Sequence, residues 1–120
     1  MEIKSYRDLM IWQRSMNLVE WIYKVTENFP SKEQFGLISQ MRRAAVSVPS
    51  NIAEGYGRQS TGHYSQFLSI ARGSLYELET QIEICSRLKY IQKPETEKLN
   101  SEIIEIGKMI SSIISKLHKN

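Results

Sequence analysis

The sequence predicts an all-α protein, a single domain over residues 1–120 folded as an antiparallel up-down-up-down four-helix bundle. Three observations lead there. Four segments, about residues 6–28, 32–56, 61–89 and 94–118, repeat apolar residues at the three- and four-residue spacing of a helix face. Three prolines and six glycines are few enough to leave long helices intact. No stretch alternates apolar and polar residues as a half-buried strand would, and the chain has no internal repeat or low-complexity tail.

The first helix carries two apolar rows: Leu9, Trp12, Met16, Val19 and Tyr23, and beside them Ile11, Leu18, Ile22, Val25 and Phe29. A face that wide exceeds what one neighbour covers, so two helices or a second subunit are expected against it. Phe29-Pro30 ends the helix, because a residue before proline avoids helical geometry. Ser31 and Gln34 have capping-box spacing for the second helix, whose stripe is Ile38, Met41, Ala45, Val48, Ile52 and Tyr56. Pro49 lies inside it. Lacking an N–H and crowding the preceding turn, it predicts a kink or short break between Ala45 and Pro49. Gly55 and Gly57 end the helix.

The third helix starts near Ser60 or Thr61, and Tyr64, Phe67, Leu68, Ala71, Leu75, Leu78, Ile82 and Cys85 make its apolar side. Pro94 with Glu95 and Glu97 reads as the first turn of the fourth. There Leu99, Ile103, Ile106, Ile110, Ile113 and Leu117 alternate four- and three-residue steps, the pattern of a coiled-coil seam.

Composition narrows the partners. Hydrophobic residues at 41% and charged residues at 24% are ordinary for a globular chain. The net charge of +3 and a pI near 9.0 reach the level at which nucleic acid becomes a candidate. Residues 30–59 hold most of the surplus, with Lys32, Arg42, Arg43 and Arg58 against Glu33 and Glu54. One cysteine, Cys85, excludes an internal disulfide and suits a reducing cytoplasm. The N-terminal residues, with Glu2, Lys4, Arg7 and Asp8, are unlike a signal peptide. No run approaches the roughly 20 apolar residues of a membrane span. A cytoplasmic protein with no membrane partner is expected.

The most unusual segment is Gln40 to Arg58, in which Arg43, Ser47, Asn51, Glu54 and Arg58 fall near one helical face. It has two readings. Ser47, Asn51 and Glu54, with Glu77 on the third helix, form a structural polar network in which Glu54 pairs a buried Arg43. Alternatively Arg42, Arg43, Arg58 and Arg72 form an arginine surface for phosphates. Arg72 is also placed to pair with Glu54 or Glu77. Gly73, mid-helix at a cost of about 1 kcal/mol against alanine, calls for the close approach of another helix. Trp21 falls off the first row, beside Glu20 and Lys24, and is a candidate interface residue.

Catalysis has little to stand on. His63 and His118 have no partner at metal-ligand spacing, and neither follows a glutamate as a bundle di-metal site requires. A lone thiol excludes a cysteine-rich zinc site, and Cys85 sits on an apolar face. Gly55, Gly57 and Gly62 match no phosphate loop. No enzyme, catalytic residue, metal or cofactor is expected. A small metal-dependent hydrolase using Glu54 and His63 is the weakest alternative.

Several motifs carry a resemblance: Leu9-Met-Ile-Trp12-Gln13, Gln40-x-Arg42-Arg43-Ala44, Ser47-Val-Pro-Ser-Asn51-Ile52-Ala53-Glu54-Gly55, and Phe67-Leu68-x-Ile70-Ala71-Arg72-Gly73-Ser74-x-x-Glu77-Leu78-Glu79-Thr80. Over about residues 6–117 the chain resembles the bacterial four-helix-bundle family named for intervening sequences of 23S rRNA genes. It is also similar to the accessory variability determinant proteins of diversity-generating retroelements. The resemblance implies a barrel-like homopentamer, and for the retroelement branch contact with nucleic acid and a reverse transcriptase. It marks Arg42, Arg43, Ser47, Asn51, Glu54, Gly55, Arg72, Gly73 and Glu77 as motif residues, without saying which touch a ligand. This chain is less basic than the retroelement relatives.

The expectation is a non-catalytic, homo-oligomeric binding module that contacts RNA or DNA through Arg42, Arg43, Arg58 and Arg72. The alternative is a structural adaptor that binds a protein partner without nucleic-acid contact.

Overall fold

A computed structural model describes residues 2–118. Among them there are four long helices and no strand: α1 (Met10–Thr26), α2 (Leu37–Gly57), α3 (Thr61–Arg87) and α4 (Lys93–Leu117). The body is a rod of 48 × 24 × 23 Å, and the 27 residues of α3 run most of its length at ~1.5 Å per residue. Each helix touches the next in sequence, and α4 returns to α1.

The core is one cluster in which every helix contributes a stripe. In α1 the second of the two rows wins: Ile11, Leu18 and Ile22 are buried, with Ser15 and Thr26 completing the stripe. The row of Leu9, Trp12 and Val19 packs at the margin, and its members Met16 and Tyr23 are exposed. Small polar residues thus fill two core positions that an apolar count does not reveal. Thr26 achieves this by donating its hydroxyl to the Ile22 carbonyl at 2.8 Å. The stripes of α2, α3 and α4 bury Met41, Ala45, Val48 and Ile52, then Leu68 to Cys85, then Leu99 to Ile110, as their spacing predicts.

Helix starts differ from expectation where capping chemistry differs. Residues Tyr6–Asp8 form a 3-10 turn before α1: Ser5 Oγ accepts the Arg7 N–H, and the Asp8 carboxylate accepts those of Lys4 and Ser5. Ser31–Glu33 is another 3-10 turn, and no Ser31/Gln34 box forms. Helix α2 starts only at Leu37, after Gly36. Glu33 serves its first turn instead, one oxygen 3.4 Å from the Leu37 N–H and the other accepting the Tyr90 hydroxyl at 2.9 Å. Ser60 caps α3 through the His63 N–H, and Pro94 lies in the first turn of α4, both where the sequence places them. Helix α3 ends with Lys89 at φ 67° and the Tyr90 N–H bonded to the Cys85 carbonyl at 2.8 Å, a left-handed cap made without glycine.

The break expected between Ala45 and Pro49 does not occur: α2 runs uninterrupted through a buried Pro49. Proline still deprives the Ala45 carbonyl of its helical donor. The next two side chains reinforce the same turn. Ser50 Oγ donates to the Val46 carbonyl and Asn51 Nδ2 to the Ser47 carbonyl, each at 2.8 Å. Both bonds go to the carbonyls one and two residues beyond the Ala45 carbonyl that lacks the proline donor.

Gly55 has a packing role beyond ending α2. A Cβ built there would lie 2.6 Å from Phe67 Cβ and 3.2 Å from the Tyr64 ring, so α2 and α3 converge at this glycine. The expected close approach at Gly73 is absent within the chain: nothing lies within 4 Å of a Cβ built there.

Candidate docking surfaces and the arginine segment

The four arginines of the expected phosphate surface do not share one patch. Arg42 lies across the C-terminal end of α1. Its Nε donates to Thr26 Oγ1 at 2.9 Å, its Nη2 to the Tyr23 carbonyl at 3.3 Å, and its guanidinium sits 4.4 Å from the Tyr23 ring centroid. The last carbonyls of a helix lack intrahelical donors and carry the negative end of the helix dipole, so a cation here completes α1. Arg58, at the opposite end of α2, pairs with Glu54 at 2.9 Å and lies over Phe67. Arg72 reaches from α3 to α4 and donates to Ser111 Oγ at 3.0 Å. Arg43 is exposed and makes no side-chain hydrogen bond or ion pair among the described residues.

The polar network is smaller than the motif suggests. Asn51 Nδ2 donates to Ser47 Oγ at 2.9 Å, and Ser47 Oγ shares a hydrogen bond with Ser74 Oγ at 2.8 Å, tying α2 to α3. Spacing within one helix cannot show that Ser74 of α3 faces Ser47 of α2. Glu54 takes Arg58 rather than Arg43, the nearer choice one turn away. Glu77 is exposed and lines the rim of a shallow groove with Arg43, Ser47 and Ser74. Arg72 pairs with neither Glu54 nor Glu77.

A bidentate pair escapes sequence reasoning altogether. Arg14 of α1 donates to both oxygens of Glu102 of α4, at 3.0 and 2.6 Å. That hydrogen bonding raises the Arg14 pKa above its ordinary value. Nearby, Trp21 Nε1 donates to Glu95 at 3.0 Å, so this candidate interface residue is bonded inside its own chain.

No catalytic constellation forms among the described residues. No three His, Cys, Asp or Glu side chains gather as metal ligands. His118 Nε2 is 2.9 Å from Ser65 Oγ, and His63 stands exposed in the first turn of α3. Cys85 is fully buried, its thiol 3.5 Å from Met41 Sδ, and burial pushes its pKa up to about 11. No described helix is long and apolar enough to cross a membrane.

What the surface does present is large exposed apolar side chains. Phe35, 90% exposed, stands at the mouth of a groove of about 660 Å³ between α1 and α2, with Tyr23, Val46, Arg42 and Arg43 around it. A second depression along the same helix pair, of about 320 Å³, includes Met16 and shares Val46. On α3, Ile70, Tyr76 and Ile84 are exposed, as is Leu88 just beyond its end. None of these is needed to close the core, which every helix already fills.

Residues 7–112 match the family model described as 23S rRNA-intervening sequence protein. The chain belongs to this family. Among solved structures, this 23S rRNA-intervening sequence family chain is similar to a protein of unknown function from the S23 ribosomal protein family of Bacteroides thetaiotaomicron. It is 29% identical, aligns over 88% of this chain and 95% of its own, and superposes with a TM-score of 0.79. No curated protein matches.

Proposed function

We propose that this member of the 23S rRNA-intervening sequence family is a non-catalytic module that docks other macromolecules on its outer helix faces, and that it does so as a homo-oligomer. The observation that carries this reading is the placement of Phe35, Tyr23 and Val46 beside an open groove while the core is complete without them. Soluble chains seldom leave contiguous apolar surface uncovered without a partner for it. The scaffold in this reading is an antiparallel up-down-up-down bundle. The reversed order of contacts supports it: Arg14 and Trp21 of α1 meet Glu102 and Glu95 of α4, and Met41 and Gly55 of α2 meet Cys85 and Phe67 of α3. A bend of α2 at Pro49 belongs to the same reading, supported by the missing proline N–H. Sedimentation of the wild-type chain tests the assembly.

Nucleic-acid contact is a second reading, favoured by the pI near 9.0 and by Arg43, which has no side-chain partner among the described residues. A homopentamer, the size the resemblance implies, would multiply the +3 of each chain and concentrate Arg43. Anisotropy of short single- and double-stranded RNA and DNA across a salt series decides it: affinity falling steeply with salt means several phosphate contacts, and no binding at low salt excludes them. The motif resemblance to retroelement accessory proteins adds a reverse transcriptase as a candidate partner, which a pull-down with a purified retroelement reverse transcriptase would test.

A further inference from the structure

We propose that the polar depression between α2 and α3 binds a free α-amino acid with an apolar side chain, Arg43 taking its carboxylate and Glu77 its ammonium. The depression holds about 330 Å³ and is lined by Gln40, Arg43, Ser47, Ser74 and Glu77. That volume suits a small ligand. Contacts between α2 and α3 run in reversed order: Met41 to Cys85, Ser47 to Ser74, Gly55 to Phe67. One turn back from Ser47 on α2 and three residues on from Ser74 on α3 therefore lead the same way along the bundle. Arg43 and Glu77 stand there as opposite charges on facing helices, both exposed. Yet neither makes a side-chain hydrogen bond or ion pair among the described residues, whereas Arg14, Arg58 and Arg87 each close onto a glutamate. A guanidinium and a carboxylate held apart across a cleft match the two ends of a zwitterion.

The two serines are an independent sign. Ser74 is only 9% exposed. Ser47 Oγ accepts Asn51 Nδ2 at 2.9 Å and shares a single hydrogen bond with Ser74 Oγ at 2.8 Å. Two hydroxyls carry two hydrogens, and the shared bond uses one. Neither hydroxyl donates to the carbonyl one turn back, as those of Thr26 and Ser50 do. One hydroxyl donor is thus left over beside Arg43, and a ligand carboxylate oxygen accepts it. The Gln40 amide oxygen and Glu77 serve the ammonium. Arg43 and Ser47 also line the larger groove that holds Phe35 and Val46, so the two depressions share that edge of α2. The ligand side chain lies toward Phe35, which favours an apolar one.

The experiment is NMR titration of the full chain with leucine, glycine, N-acetylleucine, leucinamide and inorganic phosphate, repeated on Arg43→Gln and Glu77→Gln. Both side chains are exposed, so each variant keeps the fold, and circular dichroism checks it. Leucine is expected to bind wild type with a Kd of about 1 mM or tighter, the scale for so few atoms in an open site. N-acetylleucine lacks the ammonium and leucinamide the carboxylate, so each is expected to bind roughly tenfold more weakly, as is leucine to either variant. Glycine, with no side chain to reach Phe35, is expected to bind more weakly than leucine. No leucine binding at ~10 mM overturns the proposal, as does leucine affinity unchanged in both variants. Glycine as tight as leucine overturns the apolar assignment. N-acetylleucine and phosphate as tight as leucine, and lost in Arg43→Gln, assign Arg43 to anions alone and also overturn the site.

Discussion

Gly55 of α2 and Phe67 of α3 approach so closely that a Cβ on the glycine would sit 2.6 Å from the phenylalanine Cβ. The atom met is the root of the Phe67 side chain, which cannot swing away. Gly55→Ala therefore forces α2 from α3 beside the short connection that joins them. The gain in helix propensity of about 1 kcal/mol is outweighed, and a net loss of about 1–3 kcal/mol is expected in urea unfolding. Stability equal to wild type would show that the two helices separate without cost.

Gly73 is the opposite case. Its side-chain position opens to solvent within the chain, so Gly73→Ala should raise the stability of the monomer by about 0.5–1 kcal/mol. The two alanine variants, measured side by side, are expected to move in opposite directions. A loss at both positions would contradict the open surroundings of Gly73.

Arg42 completes the end of α1 through Thr26, the Tyr23 carbonyl and the Tyr23 ring. Arg42→Gln should cost about 1–2 kcal/mol, because it leaves a helix-terminal carbonyl without its cation. Arg42→Lys should recover only part of this, since an ammonium keeps the charge but loses the Nε donor and the planar stack. Full stability in Arg42→Gln would return this side chain to the set available for phosphate contact. Thermal unfolding of the three proteins at one concentration separates these outcomes.

Cys85 should be inert at neutral pH. Its thiol pKa, raised from 9.0 to about 11 by burial and secondarily by Glu33, favours the protonated form in the folded state. The sign of the linkage follows: this contribution to stability is complete below pH 9 and is lost as pH rises toward 11. Labelling by a thiol reagent at pH 7.5 is expected to track global unfolding, accelerating with denaturant. Rapid labelling of the native protein would show that the α2–α3 core opens at Cys85.

The helical plan was legible because it rests on period. The stripes of α2, α3 and α4 were read correctly from spacing alone, and Ser60 and Pro94 marked their helix starts. The errors came where period was silent. Helix α1 carries two rows of equal apolarity, and the buried one is the row completed by Ser15 and Thr26, which hydrophobicity does not flag. The capping spacing of Ser31 and Gln34 lost to Glu33, whose second bond, to Tyr90, comes from 57 residues away. Side-chain pairing across helices was the least legible. Arg14 and Glu102 are 88 residues apart and look like ordinary surface charges, while Glu54 took the arginine one turn away rather than a distant one.

The most direct test of the central claim, that this chain works by docking as an assembly, is the mass of the wild-type protein by sedimentation equilibrium from low to high micromolar concentration. A mass that is a fixed multiple of 14.0 kDa is the predicted result, and a mass of 14.0 kDa throughout that range would contradict it.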